Sequence, residues 1–359
     1  VAKKSKGTLI RWSALVLILL GFIAFIVLDR QHDRSMTEVA TVNGKPIYLY
    51  ELEREVKNYY DQIGGTQRIT DDNIDDLRVA VMDMLVEQKV VLLDAAKKGY
   101  VANIEEIDKS ITDQKGQTQS QAEWEAFLSS WGFTEASFKQ YMIEMYTVDK
   151  YPETQWNIPE VTEEMLYAEY LKRKETSPNL VYEETKDFIK TTMEIDLELQ
   201  TSQAWYKALE ESSKIKILDK RVLGRKAFAA EDYKAAISYY SKARKAEPKD
   251  AYIDVTIAKA YSALGDDAQF RKFFESAVKK DPNNTFVHMA FAKLLIEKGQ
   301  NDEAAEEIRK SIAAADKTNM ALLERIEEFT LQLEMNAEAD QLDLMIRKLM
   351  MPSITSTTP

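Results

Sequence analysis

Two kinds of residue in this chain have the types and spacing to do chemistry: adjacent carboxylates and a periodic row of cations. Glu105-Glu106 and Glu163-Glu164 are acid pairs of the sort that general acid–base catalysis uses. Each pair, however, opens an apolar-periodic segment, where negative charge complements the helix macrodipole and needs no other explanation. Only two histidines are present, His32 and His288, and they stand apart from any ligand cluster. Cysteine is absent, which excludes disulfides, thiolate nucleophiles and cysteine-ligated metals. No catalytic residue, metal ligand or cofactor motif is assigned, and the chain reads as non-enzymatic.

The cations say more. Arg225 follows Gly224, Lys259 follows Ala258 and Lys293 follows Ala292, at a constant spacing of 34 residues. Arg221 lies one helical turn before Arg225, on the same face. Such a row in an acidic protein is suited to gripping acidic segments or a C-terminal carboxylate, although a solvated helix face has the same pattern. A second group of candidates is apolar: Tyr59, Tyr60, Met82, Met142, Met145, Tyr146, Trp156, Tyr167 and Tyr170. Aromatic and thioether side chains adapt to many polypeptide ligands. The same helical spacing also describes ordinary core residues, so only part of this group is expected at an exposed surface.

These residues need a frame. The composition, 45% hydrophobic and 30% charged with 11 Gly and 8 Pro, is that of a folded, helix-rich chain. A net charge of -12 argues against nucleic acid as partner. Residues 8–28 are an apolar run long enough to span a bilayer. Lys3, Lys4, Lys6 and Arg11 precede or enter it, and no small-x-small cleavage site follows in "FIVLDRQHD". Residues 1–35 are therefore expected to be a cytoplasmic tip and an uncleaved single-pass anchor, with the bulk of the chain outside.

After the anchor, "VATVNGKPIYLYELE" predicts a hairpin turning at Asn43-Gly44. Helical periodicity then runs through most of residues 49–211. "KIKIL", residues 214–218, alternates like an edge strand. It is expected to supply the hairpin's third strand and to close residues 36–218 into one domain. From residue 219 a helix-pair pattern repeats. Leu223-Gly224, Tyr233, Ala236, Tyr240 and Pro248 recur as Ile257-Ala258, Phe274 and Pro282, then as Phe291-Ala292, Gly299 and Ala304, the tetratricopeptide pattern. Repeats are expected at 219–250, 251–284 and 285–318, with a degenerate pair at 319–350 as a cap and a disordered tail at 351–359. Phe270 replaces a small residue of the second copy, so helix packing must adjust there.

"VATVNGKPIYLYELE", "LVEQKVVLLDAAKKGYVANIEEIDKSI", "FLSSWGFTEASFKQYMIEMY" and "VTEEMLYAEYL", with the returning "YEETKDFIKTTMEIDLELQ", resemble the N-terminal domain of the SurA/PpiD-like periplasmic chaperones. Many members carry a parvulin prolyl isomerase domain after the short helix. Here "KRKETSPNL" leaves no room for it, so isomerase activity is not expected. The resemblance implies a mainly α protein: a transmembrane helix, a helical SurA-like domain with a small antiparallel β element, and a tetratricopeptide solenoid. It implies a holdase in the bacterial inner membrane, N-terminus cytoplasmic and bulk periplasmic, binding unfolded or nascent exported polypeptides. The secretion translocon or an envelope assembly complex would be its partner. The carboxylate-clamp asparagines of many tetratricopeptide grooves are absent. A non-catalytic scaffold for an envelope or secretion complex is the alternative.

Overall fold

The computed structural model describes residues 35–62 and 74–350. The expected membrane span at 8–28 and the tail at 351–359 lie outside the described residues. Among those described, no helix is long and apolar enough to cross a membrane.

The fold is mainly helical with one small antiparallel sheet. Strand β1 (Glu38–Val42) turns into β2 (Lys45–Tyr48). Both turn residues have positive φ, Asn43 at 49° and Gly44 at 77°, the geometry that matches hairpin twist. Helices α1 (Leu49–Gln62), α2 (Ile74–Lys97), α3 (Ile104–Lys115), α4 (Gln121–Ser130), α5 (Glu135–Glu153), α6 (Glu163–Thr176) and α7 (Tyr182–Glu211) follow. Strand β3 (Ile215–Ile217) then pairs with β1, giving the order β2-β1-β3. Asn43 fastens this return. Its backbone N–H donates to the Lys214 carbonyl at 2.9 Å, and its side-chain oxygen accepts from the Lys214 N–H at 2.8 Å.

Eight further helices follow among the described residues as four consecutive pairs: α8 (Lys220–Ala229) with α9 (Tyr233–Ala246), α10 (Ala251–Ala263) with α11 (Asp267–Lys280), α12 (Thr285–Glu297) with α13 (Asn301–Ala314), and α14 (Met320–Gln332) with α15 (Asn336–Met350). Their starts are written locally. Asp219, Asp232, Asp250, Asp266, Asn284 and Asn319 are N-caps whose side chains accept from backbone N–H groups of the first turn. Phe270 is fully buried against Phe274 and Phe291, at centroid distances of 5.3 and 5.6 Å. The aromatic is thus absorbed by an edge-on cluster in the repeat core.

The chain divides into two compact units. The first holds residues 48–83 and 217–350 with the start of β1; the second holds residues 40–47 and 84–216. Helix α2 contributes its first turns, 74–83, to the repeat unit and its remainder to the other. The repeat unit has a continuous apolar core running from Ala251 to Ile346. The second unit packs in separate clusters. One is Trp124, Leu128, Phe133 and Phe138, another Val161, Leu166, Tyr170 and Ile189, and a third is built on Val91, Ala95 and Tyr151.

Candidate functional site

The row of cations does not survive folding as one surface. Arg221 is buried, at 8% exposure. Its guanidinium donates to Asp75 at 2.7 Å, Asp250 at 2.7 Å and Glu247 at 3.1 Å. Burial opposes its charge, but those three carboxylates hold its pKa above the usual arginine range. Arg225 pairs with Asp76 at 2.6 Å, and Lys226 with Asp83 at 2.7 Å. Arg78 reaches back to the α8 cap, donating to both oxygens of Asp219 at 2.7 and 3.3 Å. The first turns of α2 and the first repeat are therefore joined by an acidic–basic seam within one unit. Arg221, expected in a ligand groove, is instead buried on carboxylates, one of them 146 residues away in sequence, whereas Arg225 stays half-buried with Asp76 as its partner.

Lys259 and Lys293 are brought together. They line one cleft of about 540 Å³ with Arg325 and Lys298, against a single acid, Glu297. The apolar lining comes from Phe228, Phe286, Met289, Leu294 and Phe329. Lys298 is held by Asp267 at 2.6 Å, whereas Lys293 is exposed and makes no ion pair among the described residues. Arg225 stands 5.9 Å from the Phe228 ring, beside the cleft with its charge matched by Asp76. A positive rim over an apolar lining fits an extended acidic segment with apolar side chains. Lys298 and Arg325 escaped the periodic reading. The residue 34 positions after Lys293 is Glu327, so the fourth pair supplies its cation out of register.

The apolar candidates scatter. Met82 and Tyr170 are buried, at 0% and 6% exposure, and are core residues rather than ligand contacts. Met142 packs against the Trp124 cluster, and Tyr60, Met145, Tyr146 and Trp156 are half-buried. The Trp156 indole N–H is buried without a hydrogen-bond partner among the described residues. Tyr59 and Tyr167 are exposed. Tyr59, Tyr60 and Met82 belong to the repeat unit and the rest to the other. Among the exposed apolar residues that periodicity missed are four on α6 and α7: Leu171, Phe188, Ile195 and Leu199.

His288 is structural. Its ring nitrogens lie 2.6 Å from a Glu307 carboxylate oxygen and 2.9 Å from the Pro282 carbonyl. Among the described residues no acid–histidine group is arranged to hold a metal ion.

A capped array of helix pairs with a lined cleft defines a helical repeat protein, and sequence comparison says which domains it carries. Residues 2–151 match the family described as SurA-like N-terminal domain, and residues 227–285 match the tetratricopeptide repeat. The foldase protein PrsA of Clostridium perfringens is 30% identical over 125 residues, 32% of this chain and 36% of PrsA. The small glutamine-rich tetratricopeptide repeat-containing protein 2 of Saccharomyces cerevisiae is 35% identical over 100 residues, 27% of this chain and 28% of that protein. The chain spans about a third of the length of these relatives. Among solved structures, the TPR2AB domain of yeast Sti1 in its pHSP90 complex aligns over 84% of this chain and 96% of that one. Its TM-score is 0.25 and its identity 14%, too low to bear on the fold. The chain thus joins a SurA-like N-terminal domain to tetratricopeptide repeats.

Proposed function

We propose that this protein is a non-catalytic holdase chaperone. It captures unfolded or nascent exported polypeptides on its SurA-like part and docks a client or partner in the repeat cleft. A span at residues 8–28 would anchor it in the bacterial inner membrane, with residues 36–350 periplasmic. The translocon or an envelope assembly complex would be the neighbour. One observation carries this most directly. A SurA-like domain is followed, in the same chain, by a cleft whose exposed Lys293 and apolar lining are left open to a ligand. Domain limits at 36–218 and 219–350 are part of the same proposal, residues 74–83 being shared with the repeats.

The test is client breadth. Purified protein is mixed with several unrelated denatured proteins and light scattering is followed. Suppression of aggregation for most of them supports the holdase. A single stoichiometric partner recovered from crosslinked envelopes, with no suppression, supports the scaffold instead. Cysteine-accessibility mapping of residues introduced into this cysteine-free chain tests the topology.

A further inference from the structure

Helix α7 carries more apolar side chains than one packing face requires. Ile189, Met193 and Leu197 gather with Leu166 and Tyr170 of α6. Phe188, Ile195 and Leu199 do not, and are 69%, 58% and 52% exposed. At about 100° per residue these three fall within about 40° of one another, a stripe roughly 16 Å long. A single exposed leucine needs no explanation, but three large apolar residues in register do.

The border of the stripe is acidic. By the same rotation Glu184 stands at its start, Asp187, Glu194 and Glu198 flank one side, and Asp196 flanks the other. Glu184, Asp187, Asp196 and Glu198 make no ion pair among the described residues. Lys186 and Lys190 fall on the opposite side of the helix. Lys186 is paired with Glu163 at 2.8 Å, and Lys190 lies 3.9 Å from Glu194. The cation beside the stripe, Arg173 of α6, lies 5.8 Å from the Phe188 ring and is already paired with Glu169 at 2.8 Å. Residues 152–226, α7 among them, lie outside the segments that the two family descriptions match.

We propose that the α7 stripe docks an apolar polypeptide segment flanked by lysine or arginine. The segment's apolar residues lie on Phe188, Ile195 and Leu199, and its cations meet the surrounding carboxylates. The inference rests on the polypeptide-holding function above and adds the charge of the segment that is held.

Three labelled peptides with one apolar core and Lys, Ser or Glu flanks would be titrated with the full chain by fluorescence anisotropy. A few exposed ion pairs at about 0.2–1 kcal/mol each give the Lys-flanked peptide roughly a tenfold advantage over the Glu-flanked one. That advantage shrinks at high salt and is lost in Asp187→Lys/Glu198→Lys. Phe188→Ser/Ile195→Ser/Leu199→Ser removes binding of the Lys-flanked peptide without lowering the melting temperature, because all three side chains are exposed. Equal affinity for the three peptides overturns the inference. So does a Lys preference that survives Asp187→Lys/Glu198→Lys. Light scattering with an aggregating client separates the failures. Suppression without flank preference overturns the charge inference alone, whereas neither suppression nor peptide binding overturns the holdase as well.

Discussion

A Cβ built on Gly224 would stand 2.7 Å from the Tyr240 ring. That ring has nowhere to go. It is buried, and its hydroxyl donates to Asp75 at 2.8 Å. Burial first, and then the Asp75 charge, hold the Tyr240 pKa above its ordinary value, so the phenol stays a donor. Gly224→Ala is expected to cost about 1–3 kcal/mol by overpacking, read as a lower denaturant midpoint with unchanged slope. Asp75→Ala removes one acceptor from both Tyr240 and the buried Arg221. Because Arg221 keeps Glu247 and Asp250, the loss should fall at or below the lower end of the roughly 3–5 kcal/mol typical of a broken buried pair. Asp250→Ala would confirm the sharing by costing a similar amount; a negligible effect of Asp75→Ala on chemical denaturation would show that the seam is not structural. The small residue at 224 was legible in the sequence as a repeat signature. Asp75 was not, because nothing local marks a carboxylate as the partner of an arginine 146 residues further along the chain.

At the scale of elements, the helix pairs are over-determined by caps, glycines and a 34-residue period, which is why their existence and limits were readable. What periodicity missed is that the array begins with helix turns from elsewhere. Residues 219–350 expressed alone expose Arg221, Arg225 and Tyr240, and should melt several degrees below a version with residues 74–83 fused in front; equal melting would sink that expectation. Helix pair α12–α13 carries its own pH response. Burial disfavours charged His288, but the Glu307 carboxylate and the Pro282 carbonyl, both acceptors, outweigh it and raise its pKa. Burial likewise opposes the Glu307 charge, while bonds from His288 and Lys310 lower its pKa. A raised histidine pKa gives stability that is complete below the unfolded value near 6.5 and is lost as pH rises through the folded pKa. A lowered glutamate pKa gives stability present above its unfolded value near 4.5 and lost as pH falls through the folded one. The repeat unit should therefore be most stable between those values and weaken above neutrality. His288→Gln is expected to flatten the alkaline arm, which melting curves between about pH 5 and about pH 9 would show, a window that opens below the unfolded histidine value and closes well above it.

For the molecule as a whole, the two units offer surfaces of opposite charge. The repeat cleft is apolar with a cationic rim, and the α7 stripe is apolar with an anionic border. Acidic peptides should compete for the cleft and be displaced by Lys293→Glu, basic-flanked peptides should depend on α7, and neither class should compete with the other; mutual displacement in a two-colour titration would contradict this. The sequence alone determined the hairpin, the helices, the repeat period and the SurA-like start. Those signals are local: turn chemistry, caps and apolar spacing act over a few residues and are written contiguously. Tertiary structure decided which cations remain for a ligand, which aromatics are core, and that α7 has a second apolar face. Burial and charge pairing depend on residues distant in the chain, and no spacing rule reports whether Arg221 meets solvent or Asp75.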